Sequence, residues 1–269
     1  LVQDPFIVAV FFGFVPAMGF LYILLHEYQA FFNEKRMFRV FFFGMLAGGL
    51  ITLLELSAAP GPGHLLGTTI TRSASIPLLG LYALLLGLLE TGAMAAVLNW
   101  RTFRGRRETP FYGMSFGLGF GATSALFQLY FVLRLTAESP GSDDVWVQVI
   151  LLALVGLYFA GAILIHGAMG AWLGRGAAQA DLRTAILEST LARGLMVGLF
   201  YAMLLIASPA WASKVAAVAA LVFAIVATSR VVNHVLDQVV PPEILREMGI
   251  HQRRLARKFL RDDEPEKKP

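Results

Sequence analysis

Of the 269 residues in this chain, 57% are hydrophobic and only 15% charged, and the mean hydropathy is +0.67. Soluble domains carry about 25% charged residues, so the apolar surplus faces lipid and a soluble globular reading is excluded. The chain has no cysteine, which excludes disulfides, thiolate metal sites and a cysteine nucleophile. The net charge of +4 sits in alternate loops and the tail, a pattern that argues against nucleic-acid binding.

Long apolar runs fill the sequence from Pro5 to Val240. They are continuous and do not alternate every second residue, so they predict helices and not a barrel. A hydrocarbon core of about 30 Å needs about 20 such residues, and seven runs qualify: 5–25, 38–57, 74–98, 111–134, 146–172, 191–207 and 212–233. The expected class is all-α, a polytopic transmembrane helical bundle over 1–240 followed by a basic tail, 241–269.

The first run follows LVQDPF, with no basic leader and no small-residue cleavage site, so it reads as a retained helix. The loop after it holds Glu34, Lys35, Arg36 and Arg39, and the next, AAPGPGHLLGTTITRS, is rich in Pro and Gly. The third loop carries Arg101, Arg104, Arg106 and Arg107; the fourth, TAESPGSDD, is acidic; the fifth has Arg175, Asp181 and Arg183. The sixth is the short SPAWASK. Basic loops mark the cytoplasmic side. Loops one, three and five and the tail are basic, which predicts an N-terminus outside, a cytoplasmic C-terminus and a multi-pass protein of the cell membrane.

Glycines recur within the runs. Gly113, Gly117 and Gly121, spaced by four, share one helix face, as do Gly44 and Gly48; such faces serve close helix packing in lipid. After Pro241 and Pro242 the tail places Ile244, Leu245, Met248, Leu255, Phe259 and Leu260 opposite Arg and Lys. An amphipathic helix of that kind can lie on anionic lipid headgroups, and the final DDEPEKKP reads as disordered.

Ionisable residues inside a bilayer are costly and mark candidate sites. Glu90 in the third run and His166 in the fifth lie at similar depth in the cytoplasmic half, and they would meet if those spans were neighbours. The fourth run offers Thr123, Ser124 and Gln128. Glu55 is expected near the outer end of its span, reaching the interface, and Arg134 is expected to snorkel outward. Arg230, His234 and Asp237 share a face at the inner boundary, where charge is cheap.

Four blocks carry a family resemblance. They are HEYQAFFNEKRMFRVFFFGMLAGGL, LLGLLETGAM at 85–94, FYGMSFGLGFGATSALF at 111–127 and LIHGAMGAWLG at 164–174. Together, over roughly residues 20–175, the chain resembles the PrsW family of intramembrane proteases, within the larger group that includes the CAAX-processing-type proteases. The resemblance implies paired glutamates in the first acidic block, a Phe followed four residues later by Glu in the next, and a His in the last. These residues would activate water, with or without a metal. Here Glu90, Phe120 and His166 match, whereas Thr91 and Ser124 stand where acids are expected.

The leading expectation is therefore a non-catalytic PrsW-like bundle, a pseudoprotease that serves as scaffold or accessory subunit beside a membrane-protein partner. The alternative is an active intramembrane protease using Glu90 and His166. A third reading is haem or pigment binding, with His166 as axial ligand, small neighbours Gly167 and Gly170 leaving room, and His26 or His234 as second ligand. A catalytic metal needs about three protein ligands, and the sequence does not assemble three. A transporter is disfavoured by the scarcity of charge and the lack of an inverted repeat.

Overall fold

The computed structural model describes residues 4–58, 76–138, 145–205, 210–236 and 239–240. The expected amphipathic tail and the second, fourth and sixth loops lie largely outside these residues. Among these residues there are seven long helices, α1 (Pro5–Leu25), α2 (Glu34–Ala58), α3 (Ile76–Leu98), α4 (Thr109–Glu138), α5 (Val145–Gln179), α6 (Leu182–Leu205) and α7 (Ala210–Val231). A 3-10 turn (His26–Phe31) follows α1, and a π-helical turn (Val232–Leu236) follows α7. Among the described residues there is no strand. The protein is thus an all-α integral membrane bundle. Among the described residues six helices are long and apolar enough to cross a membrane, by length and composition; α6, with Arg183, Glu188 and Arg193, is not one of them.

Local chemistry sets the helix ends. Asp4 caps α1 by accepting from the Phe6 N–H at 2.9 Å, with Pro5 at the first helical position, where no N–H is needed. Asn33 accepts from the Arg36 N–H at 3.0 Å at the start of α2. The Arg36 side chain donates to the Thr102 carbonyl at 2.9 Å and lies over the rings of Phe103 and Tyr112. It thereby ties the first loop to the third. Between α5 and α6, Ala180 takes φ +61°, and the Asp181 N–H bonds back to the Gly176 carbonyl at 3.0 Å, a left-handed helix stop.

That stop corrects one expected boundary. The apolar run predicts a sixth span over 191–207, but α6 begins at Leu182. Asp181, which accepts from the Thr184 hydroxyl at 3.0 Å, starts a new helix where a long loop was expected. Ala185 is buried, and Leu182 and Ile186 pack against the core, so the segment before 191 has an apolar face to bury.

The axis of the bundle is α4, buried continuously from Thr109 to Leu126. It is flanked by α1, α2 and α5, and α7 closes the far side of α5. Helices α3 and α6 pair with each other on the flank and lean on α5, while α3 touches α2 and α4 only sparsely. The glycine faces make the close approach possible. A methyl group added at Gly113 or Gly117 would run into the backbone of Gly170 or His166 on α5. One added at Gly44 or Gly48 would strike the backbone of Phe116 or Phe120 on α4. Hydroxyls reinforce the α2–α4 contact: Ser115 donates to the Met37 carbonyl and Thr123 to the Met45 carbonyl, both at 2.8 Å.

Candidate functional site

The α5–α6 and α3–α6 contacts bring three charged or polar side chains together inside the bundle. Glu90 comes from α3, His166 from α5 and Arg193 from α6, and each is only 1% exposed. Arg193 grips both oxygens of Glu90, Nη2 donating to Oε1 at 2.8 Å and Nε donating to Oε2. This two-pronged pairing suits the planar guanidinium and is among the stronger polar contacts a protein makes. His166 Nε2 lies 3.4 Å from Glu90 Oε2, an ion-pair distance and longer than a hydrogen bond. His166 Nδ1 donates to the Ala162 carbonyl at 2.7 Å, because a carbonyl can only accept. The imidazole also stacks on Phe120, centroid to centroid 5.3 Å.

The expected meeting of Glu90 and His166 is therefore observed, and Arg193 is the member that sequence reasoning missed. The signal was present. Asp181 followed by Leu182 and Thr184 is a helix start, and a start there puts Arg193 three turns inside. A span that begins at 191 puts Arg193 at its boundary.

Glu55, expected near the outer end of its span, is covered by the bundle, only 9% exposed. One turn before it, Thr52 donates to the Ser124 hydroxyl at 2.8 Å, so one of the two hydroxyl residues at the expected acid positions is occupied with α2. The other, Thr91, is fully buried, and its hydroxyl has no hydrogen-bond partner among the described residues. The same holds for Glu55 Oε1, His166 Nε2 and Arg193 Nη1. Buried polar atoms of this kind are where an internal water binds. Tyr158, on α5, bounds the cluster and donates to the Met196 carbonyl at 3.1 Å.

Other candidates lie elsewhere. His26 is exposed beside Tyr22, and Arg230 and His234 are exposed at the C-terminal end of α7, all outside the cluster. Asp237 falls outside the described residues. The space beside Gly167 is filled by the Leu118 side chain and that beside Gly170 by Gly113, so α4 occupies the room a macrocycle would need there. Among the described residues no three His, Cys, Asp or Glu side chains lie close enough together to hold a metal ion.

The cluster can do two things chemically. It can hold three helices together through a neutralised buried charge, or, if Glu90 were released from Arg193, it could present a carboxylate and an imidazole to water. No protein-family model matches the chain, and no curated protein and no solved structure matches it either.

Proposed function

We propose that this integral membrane protein is a PrsW-like bundle without proteolytic activity that serves as a scaffold or accessory subunit in a membrane complex. The observation that carries this reading is the grip of Arg193 on both oxygens of Glu90. With both oxygens engaged by the guanidinium, the carboxylate is not free to take a proton from an attacking water. Thr91 and Ser124 supply hydroxyls where the resemblance calls for acids, and a hydroxyl does not replace a carboxylate base near neutral pH. The outer faces of α1 and α2 carry exposed Phe6, Phe11, Phe38, Phe42 and Phe43, a surface suited to lipid and to a partner helix.

A second reading, intramembrane proteolysis, is favoured by the 3.4 Å approach of His166 to Glu90 and by buried Glu55, an acid contributed from α2. Reconstitution in vesicles with candidate membrane substrates separates the two. The expected result is no cleavage by wild type, Glu90→Gln or His166→Ala, with one membrane protein co-purifying in fixed proportion. Cleavage by wild type that both substitutions abolish, with folding intact, makes the protein a protease.

A further inference from the structure

Between the C-terminal parts of α5 and α7 and the first half of α6 runs a groove of about 620 Å³. That is the size of a small-molecule site. Ala168, Ala192 and Ala227, one from each helix, make the room, and Phe223 and Val231 add apolar wall. Leu187 and Leu191 on α6 and Val222 and Val226 on α7, next in sequence to its lining residues, are exposed. Apolar exposure of that kind beside the groove suits an occupant resident in the membrane.

The rim carries charge of both signs. Glu188 stands on α6, Arg230 on α7 and His234 on the π-helical turn, all exposed. Among the described residues neither Glu188 nor Arg230 has an ion-pair partner. Ser189 also lines the groove, 2% exposed, and its hydroxyl has no hydrogen-bond partner among the described residues. Trp172 also lines it, with the Arg175 guanidinium 5.2 Å from its ring centre. Tryptophan beside arginine is typical of headgroup depth.

Apolar floor, buried hydroxyl and charged rim follow the order of acyl chain, glycerol ester and headgroup in a phospholipid. We infer that the groove binds one phospholipid with a primary ammonium headgroup. Its phosphate lies against Arg230 and His234 and its ammonium against Glu188, while Ser189 donates to a glycerol ester carbonyl and one acyl chain covers the alanine floor. Glu188 disfavours a purely anionic headgroup, and a quaternary ammonium has no N–H to donate to it. This site stands whether or not the bundle cleaves anything.

The test is native mass spectrometry of the detergent-purified protein titrated with dioleoyl phosphatidylethanolamine, phosphatidylcholine or phosphatidylglycerol. Wild type should retain the ethanolamine lipid about tenfold better than the other two, the worth of one charge-assisted hydrogen bond. Glu188→Gln should erase the preference for ethanolamine over choline, and Arg230→Gln should weaken all three. Both positions are exposed, so neither change threatens the core. Ala192→Phe, which fills the groove, should abolish retention in protein that still elutes as a folded species. Equal retention of the three lipids by wild type, or a preference unchanged in Glu188→Gln, overturns the inference.

Discussion

Glu90 and Arg193 are each tolerable inside the bilayer only because of the other. Removing one partner of a buried pair leaves an uncompensated charge, which typically costs about 3–5 kcal/mol. Arg193→Met should therefore lower the thermal unfolding midpoint in detergent sharply. Adding Glu90→Gln to it should recover much of the loss, since a buried pair replaced on both sides is often close to neutral. A single Arg193→Met variant that melts with wild type would show that the pair is not a structural lock. Two of the cluster's three members were legible in the sequence. Glu90 and His166 stood out because each interrupts a long apolar run at matching depth. Arg193 did not, because its inclusion depends on where α6 starts, and that is decided by a cap at Asp181 and a left-handed Ala180. Nor did the burial of Glu55, because depth along a helix does not tell which neighbours cover it.

Among the elements, the glycine faces of α4 carry the tightest contacts. Gly117 sits against the His166 backbone with no room for a methyl, whereas nothing lies within 4 Å of a methyl placed at Gly198 on α6. Gly117→Val should push α5 away and, by the usual cost of overpacking, destabilise by about 1–3 kcal/mol. Gly198→Ala should leave the unfolding transition unchanged or slightly raised, as expected for alanine in a helix. Equal melting of the two variants would remove the close approach from the account. The number and order of helices could be read from the sequence because a continuous apolar run of about 20 residues has few other uses. Their ends could not, since α5 and α6 extend into stretches that look polar until Leu182, Ala185 and Ile186 find a core to pack on. The pairing of α3 with α6 was equally hidden, because apolar periodicity in an all-apolar helix names no preferred face.

For the molecule as a whole, loop charge predicts orientation. Gly105 lies in a loop with four nearby arginines, and Ser142 lies in an acidic one. In this cysteine-free chain, Ser142→Cys should react with an impermeant thiol reagent in intact cells, and Gly105→Cys only after permeabilisation. The reverse pattern would invert the topology. The Glu90–Arg193 contact also bears on how the protein is made. The two residues are 103 positions apart, so α3 emerges from the ribosome well before its counter-charge exists. At 5–20 residues per second, synthesis leaves Glu90 waiting for roughly 5–20 s. Helix α6 in turn is too polar to be a comfortable lone insert. The nascent chain therefore carries an unmatched acid until its sixth helix arrives, and the bundle can close around Glu90 only after that interval.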